Sequence, residues 1–198
     1  MRKLTRHNKA MQLPSVILRG VVAFLLLATA ACTDMVVSNK YCNLPAHFTY
    51  SPVVAISQLY SACNSQGEWT TITAKNEQFI FANLTGSTPV NRAQLDNFHG
   101  FYMGLCGFIV GLPNIPEMGS DMAVITCYDL ACSNCYKDKS VTRPLQLQPG
   151  GFAYCKSCER TYNLNNLGQI SRGDAGITLF RYHVYYGNNT LTINNSPK

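Results

Sequence analysis

The chain has 198 residues, of which 16 are lysine or arginine and 10 are acidic, so its formal net charge is +6. The excess of basic residues is concentrated at the start of the chain, in Arg2, Lys3, Arg6, Lys9 and Arg19. Only 11 basic residues against 10 acidic ones remain after residue 31, a net charge of +1. The charge balance therefore gives no reason to expect a nucleic-acid partner.

Residues 1–31 have the pattern of a secretory signal peptide. The basic start is followed by an apolar run over residues 21–28, which is shorter than the ~20 residues that span a bilayer. The small residues before Cys32 resemble a bacterial lipobox, which implies a lipid on Cys32, a tether over residues 32–43 and the membrane as a partner. The alternatives are an uncleaved membrane anchor, or cleavage that leaves Cys32 unmodified. The pattern predicts a lipoprotein of the bacterial cell envelope, either periplasmic or in the outer membrane.

Residues 44–198 are predicted to form one all-β domain, because short apolar runs alternate with glycine, asparagine and proline. The predicted exception is one short helix from Pro52 to Cys63, with Ser51 as its cap. A hairpin is expected from residues 69–73 and 78–82, followed by a polar loop over residues 83–89. Further strands are predicted at residues 107–111 and 122–128, with a loop at 112–116 between them, and residues 98–105 are ambiguous between helix and strand.

The most informative motif is a pair of Cys-x-x-Cys knuckles. Cys132 and Cys135 form the first, and Cys155 and Cys158 form the second after 19 intervening residues. Two thiolates three residues apart on a tight turn can point at one ion, and a second facing turn completes a tetrahedral sulfur set. The flanks favour facing hairpins, because short strands are predicted at residues 152–154 and 161–163, with a turn at 165–168.

The second knuckle and its continuation resemble the Rieske iron–sulfur domain. In that family, Cys-x-His and Cys-x-x-His loops hold a [2Fe-2S] cluster. Tyr162 falls in register with a tyrosine that follows the second loop, and Gly168 and residues 173–175 stand where that family has a turn and Gly-Pro-Ala. Residues 179–185 and 190–194 resemble the closing hairpin. The resemblance implies a Rieske-like antiparallel β-sandwich in which Tyr162 donates a hydrogen bond toward a ligand sulfur.

Both histidine positions of that family are absent here. Cys158 stands at the second, the first knuckle is one residue longer and ends in Cys135, and Arg160 replaces a serine. Four cysteines on two knuckles also resemble the metal subdomain of rubredoxins and zinc ribbons. The expected cofactor is therefore a [2Fe-2S] cluster by family resemblance, or a single iron or zinc ion at the four cysteines.

We predict structural roles for the cysteines outside the knuckles and structural or surface roles for the histidines. Past an export signal, Cys42 could pair with Cys63 and Cys106 with Cys127, although buried free thiols are the alternative. The knuckle cysteines could themselves be disulfides. His47, His99 and His183 have no second ligand at metal spacing, so we expect packed or surface side chains.

These patterns give one preferred function and two alternatives. The preferred function is a lipid-anchored electron-transfer or redox accessory protein, with an unidentified redox partner and no catalysis of its own. The alternatives are a binding or scaffold lipoprotein with structural zinc, and a metal-free remnant held by disulfides. A dithiol–disulfide oxidoreductase is disfavoured, because its reactive thiol lies at a helix N-terminus whereas these knuckles are predicted to follow strands.

Overall fold

The computed structural model describes residues 41–92, 100–117 and 119–195. Its strands are β1 (Ala46–Tyr50), β2 (Trp69–Lys75), β3 (Gln78–Ala82), β4 (Ser87–Asn91), β5 (Tyr102–Met103), β6 (Phe108–Gly111), β7 (Thr126–Asp129), β8 (Gln146–Gln148), β9 (Phe152–Tyr154), β10 (Thr161–Asn163), β11 (Gln169–Arg172), β12 (Arg181–Gly187) and β13 (Thr190–Asn194). The helices are α1 (Ser57–Asn64) and α2 (Ser133–Lys139). The predicted signal peptide, Cys32, residues 32–40 of the tether and His99 lie outside the described residues.

Nine strands form a large antiparallel sheet in the order β4-β3-β2-β6-β7-β12-β13-β1-β5. The sheet curls until strands from its two halves face each other, since the ring of Phe48 in β1 lies 5.1 Å from that of Phe79 in β3. Phe48 also lies 6.2 Å from the ring of Phe108 in β6. Alternation of inward and outward side chains along each strand fills the enclosed space with aliphatic and aromatic groups. The predicted mostly-β architecture is confirmed.

Four short strands form a second sheet in the order β11-β10-β9-β8. It packs on the outer face of β6 and β7, whose residues are buried on both sides. Phe108 and Val110 point into the large sheet's own core, whereas Ile109 and Tyr128 point into a second core beneath the small sheet. Strands β6 and β7 therefore separate the two cores, and both knuckles belong to the second one.

The hairpin predicted from residues 69–73 and 78–82 and the closing hairpin are both present. Strands β2 and β3 pair with Lys75 opposite Gln78, and the two-residue turn of Asn76 and Glu77 has positive φ at both positions. That backbone matches the right-handed twist of a hairpin. The closing hairpin of β12 and β13 turns at residues 188 and 189, and β13 continues the sheet by pairing with β1.

The prediction of one short helix is wrong, because the described residues contain α2 as well as α1. The start of α1 is also later than predicted. Pro52 has an extended backbone, and a 3-10 turn at Val53–Ala55 is followed by an extended Ile56. The helix can therefore begin only at Ser57. Neither helix of the described residues is long and apolar enough to cross a membrane.

Two strand boundaries also differ from prediction. Residues 87–89, expected in a polar loop, belong to the edge strand β4. Pro89 is tolerated there because one side of an edge strand has no partner. The strand predicted from residue 122 begins only at Thr126. The ambiguous segment over residues 98–105 contains the short strand β5.

Candidate metal centre

The first knuckle lies at the start of α2 rather than on a turn between strands. Cys132 is the residue that precedes the first helical residue, and Cys135 lies one turn further on. The Cys132 carbonyl accepts a hydrogen bond from Tyr136 N–H at 3.1 Å, which closes this first turn. The i, i+3 spacing places both cysteines on the same side of the helix start. The knuckle follows strand β7, as predicted, but it opens a helix, so the hairpin expected at this knuckle is wrong.

The second knuckle is a tight turn between β9 and β10. Glu159 N–H donates to the Cys155 carbonyl at 2.8 Å, and Cys155 N–H donates to the Arg160 carbonyl at 2.9 Å. The backbone N–H groups of Ser157 and Cys158 point at the Cys155 sulfur, and the N–H of Arg160 points at the Cys158 sulfur. The turn thus surrounds two sulfurs with donors that stabilise thiolate charge.

The structure brings the four knuckle sulfurs together. Their Sγ atoms all lie within 4.8 Å of one another and could hold a metal ion. Two separations that cross between the knuckles are short: Cys132 Sγ to Cys158 Sγ is 3.6 Å, and Cys135 Sγ to Cys155 Sγ is 3.7 Å. These distances far exceed a disulfide bond of ~2.0 Å. Three of the four cysteines are buried, and Cys158 is half-buried.

The local environment shifts the pKa values of the knuckle thiols in opposite directions. Burial, with smaller contributions from neighbouring thiols, raises the pKa of Cys135 well above its usual value. Burial also raises the pKa of Cys155 despite its two N–H donors. Burial acts in the same direction on Cys158, but hydrogen bonds from the backbone and guanidinium of Arg160 outweigh it and lower its pKa to about 7.

Tyr162 on β10 follows the second knuckle in the chain, and its side chain contacts the first knuckle. Its hydroxyl oxygen lies 3.1 Å from Cys132 Sγ, and the side chain is fully buried. Burial, and then the neighbouring Cys132, raise the pKa of Tyr162, so the phenol retains the proton that it can donate. Asn134 Nδ2 donates to the same hydroxyl at 2.8 Å.

A loop over residues 173–177 lies against both knuckles. Arg160 donates through Nε to the Asp174 carbonyl at 2.9 Å and through its terminal nitrogen to the Ala175 carbonyl at 3.1 Å. Asn134 hydrogen-bonds both the N–H and the carbonyl of Ile177. A Cβ at Gly176 would overlap Asn134 Oδ1, so the approach of the loop requires glycine there.

The remaining cysteines of the described residues are all free thiols. Neither predicted pair is bonded: Cys106 packs against the core beneath the small sheet, whereas Cys127 lies in the core of the large sheet. Burial raises the pKa of Cys63 and of Cys106 to about 12. These two thiols therefore stay protonated and unreactive.

The described histidines lie away from the knuckles. His183 in β12 stacks on Tyr41 with ring centroids 3.5 Å apart, and His47 is exposed on β1. Both are structural or surface side chains, as expected.

Sequence reasoning gave no role to Asn134 and no positive role to Arg160, although both side chains hydrogen-bond around the knuckles. Asn134 is an unspecified position inside a Cys-x-x-Cys motif, and Arg160 was noted only as a departure from the Rieske pattern. Arg160 lies two positions after Cys158, and its backbone N–H points at that sulfur, which places its side chain nearby. No model of a known protein family matches the chain, and no curated protein matches it.

Proposed function

We propose that Cys132, Cys135, Cys155 and Cys158 hold one metal ion in tetrahedral thiolate coordination. The observation that carries the proposal is the position of the four sulfurs, all within 4.8 Å of one another. A metal–sulfur bond of ~2.3 Å in a tetrahedral site corresponds to sulfurs about 3.8 Å apart. The two pairs that cross between the knuckles, at 3.6 and 3.7 Å, agree with that spacing.

The same spacing favours a single ion over a [2Fe-2S] cluster. A binuclear cluster binds two cysteines on each of two irons, so its two ligand pairs stand farther apart than the ligands of one ion. The Rieske resemblance therefore supports a similar arrangement of strands and does not extend to the kind of cofactor. The closing hairpin of β12 and β13, the Tyr162 register and the small sheet that carries the second knuckle support a Rieske-like relationship of fold.

The hydrogen bonds around the sulfurs favour thiolates over disulfides. Four thiolates and one divalent ion have a net charge of −2, which is unfavourable in a buried site without compensation. The N–H groups of the second knuckle, the Arg160 guanidinium and the Tyr162 hydroxyl are positioned to supply it. A disulfide sulfur carries no comparable charge and would not need these donors.

The proposed role of the centre is electron transfer by iron. Cys158 is the half-buried ligand, so it offers a short path from the metal to a partner at the surface. Hydrogen bonds to ligand sulfurs tune the potential of an iron–sulfur site, and two side chains here make such contacts. We propose further that the domain is held at a bacterial envelope membrane by a lipid on Cys32, on the pattern of residues 1–32.

A structural zinc ion is the second candidate. It is favoured by the closed set of four thiolates and by the location of three of them inside the core of the small sheet. Zinc bound by four cysteines has no open position and does no redox chemistry, but it contributes directly to folding.

One preparation separates these possibilities. Protein purified anaerobically from membranes should contain one metal ion per chain. The protein should be coloured if the ion is iron and colourless if it is zinc. Its intact mass should include a lipid on Cys32. Metal-free protein with all knuckle thiols oxidised would overturn the metal site, and an unmodified Cys32 would overturn the anchor independently.

A further inference from the structure

The amide of Asn134 has an orientation that its surroundings determine. Ile177 N–H donates to one end of the amide at 2.9 Å, and the Ile177 carbonyl accepts from the other end at 2.8 Å. Only oxygen can accept from an N–H, and only nitrogen can donate to a carbonyl. The oxygen and nitrogen positions are therefore assigned by the network itself.

This orientation fixes the direction of the next hydrogen bond. The second N–H of Asn134 Nδ2 faces the Tyr162 hydroxyl oxygen at 2.8 Å, so that oxygen is the acceptor. A phenol has one proton to donate. Tyr162 is fully buried, and its remaining polar contact is Cys132 Sγ at 3.1 Å. The proton therefore points at the sulfur.

We propose that Asn134 is a positioning residue for the metal centre: it forces Tyr162 to donate its proton to the Cys132 sulfur and links that sulfur to the loop over residues 173–177. The relay runs from the Ile177 backbone through Asn134 and Tyr162 to one ligand. It rests on the proposed metal site. It adds that the hydrogen bond to the Cys132 sulfur and the attachment of the loop depend on one side chain inside the first knuckle.

The test is a double-mutant cycle on cobalt(II)-loaded protein, in which thiolate-to-cobalt absorption reports the ligands directly. Tyr162→Phe removes the donated proton, and we expect cobalt affinity to fall by about 10- to 100-fold, as for other groups that hydrogen-bond to metal ligands. The charge-transfer band should move to longer wavelength, because a thiolate without its hydrogen bond is a better electron donor. With Tyr162 present, Asn134→Leu should reproduce part of the loss of affinity and part of the wavelength shift. In the Tyr162→Phe background, Asn134→Leu should cause no further loss and no further shift.

Hydrogen exchange supplies a control for the structural part of the role. The Ile177 amide should exchange faster in Asn134→Leu whichever residue occupies position 162, because that hydrogen bond does not involve the tyrosine. Equal effects of Asn134→Leu on cobalt affinity in both backgrounds would mean that Asn134 acts only on packing, and the relay would be wrong.

A measurement without substitutions guards against variants that do not fold. In protein loaded with ¹¹³Cd, the Tyr162 hydroxyl proton should show a scalar coupling to the metal through Cys132. A coupling that is absent, while couplings to the cysteine Hβ protons are present, would overturn the relay and leave the metal site intact. A chain that takes up neither cobalt nor cadmium would overturn both.

Discussion

The two sheets of this protein are stabilised by different kinds of core. The large sheet encloses aromatic and aliphatic side chains, with Phe48, Phe81 and Phe108 essentially inaccessible to solvent. The small sheet has strands of three or four residues and a core in which cysteines occupy central positions. Polar groups such as Ser133 and Asn134 are buried beside them. The first region can fold through apolar burial, whereas the second, if the proposed site holds an ion, gains stability from that ion.

Loss of the metal should therefore produce the largest effect and confine it to the small sheet. Structural metal sites of this kind contribute roughly 10–16 kcal/mol of apparent binding free energy. We expect Cys155→Ser to lower metal affinity by far more than about 100-fold, since changes to groups behind the ligands already cost up to that much. Hydrogen exchange in β9 and β10 should accelerate, while exchange in β1 and β13 should change little.

Cys106→Ser is the matched control, because Cys106 packs against the same core but is not one of the four converging cysteines. Its metal content should equal that of the parent. If Cys155→Ser retained full metal content, or if β1 and β13 loosened as much as β9 and β10, the division into two independently stabilised regions would be wrong.

The opposite perturbation is a cavity in the large sheet. Phe81 is fully buried in β3, and its ring lies 4.7 Å from that of Tyr50. Phe81→Ala should lower the free energy of unfolding by about 3–5 kcal/mol, because a large buried ring is replaced by a void. Chemical denaturation of metal-loaded protein measures this. At low denaturant, metal affinity should match that of the parent; a comparable loss of affinity would show that the two cores unfold together.

The sequence predicted the large sheet better than the small one for physical reasons. Strands β2 and β3 are rich in β-branched and aromatic residues on either side of a short turn, which is a local signal. Strands β8 and β11 have three and four residues with weak alternation, and they form only because partners and the knuckles lie beside them. The proline in β4 concealed an edge strand, since proline normally argues against pairing.

The convergence of the four cysteines was predictable, but the shape of the first knuckle was not. Cys-x-x-Cys spacing suits one turn of helix as well as a tight turn, so spacing alone could not reveal α2. Lys137 and Lys139 lie in the last turn of α2. Basic residues favour a helix end, yet this segment is too short for periodicity to predict a helix. Tyr162 was expected beside the second knuckle; its hydroxyl contacts the sulfur of Cys132 in the first knuckle.

Acidification should weaken metal binding by a smaller, graded amount. The pKa of Cys135 and that of Cys155 are raised by burial. At neutral pH both thiols must therefore lose a proton to bind metal. Cys158, with its pKa lowered to about 7, adds a further proton only below that pH. Metal affinity should thus fall as pH falls, and more steeply below a pH of about 7. Competition with a chelator, from mildly acidic to mildly alkaline pH, measures the slope.

Arg160→Gln sharpens this prediction, because it removes the guanidinium that favours ionised Cys158. The steeper part of the pH dependence should extend to higher pH in this variant. Lys75→Gln, at the far end of β2, removes the same charge without touching the knuckles and should leave the curve unchanged. A curve for Arg160→Gln that matches the parent would show that Arg160 does not control ionisation of Cys158.

The smallest expected effect concerns Asp129, which connects the two regions. Its carboxylate is fully buried and accepts hydrogen bonds from Leu105 N–H at 2.8 Å, Ala131 N–H at 2.7 Å and the Tyr182 hydroxyl at 2.7 Å. Tyr182 belongs to the large sheet, and Ala131 immediately precedes Cys132. Burial raises the pKa of Asp129, and these hydrogen bonds only partly oppose it.

Because the pKa of Asp129 is higher in the folded protein than in the unfolded chain, the folded state binds this proton more tightly. Its stabilising contribution should be complete below the usual pH range of an aspartate and should be lost as pH rises through the raised pKa. We expect the carboxyl carbon resonance of Asp129 to titrate above the ordinary aspartate range. Asp129→Asn should remove that part of the pH dependence of unfolding. It should also weaken the hydrogen bonding that positions Ala131, next to the first knuckle, since an amide cannot accept from all three donors. An Asp129 resonance that titrates at or below the usual range would mean that the hydrogen bonds outweigh burial, and Asp129 would then favour the folded state most at neutral pH.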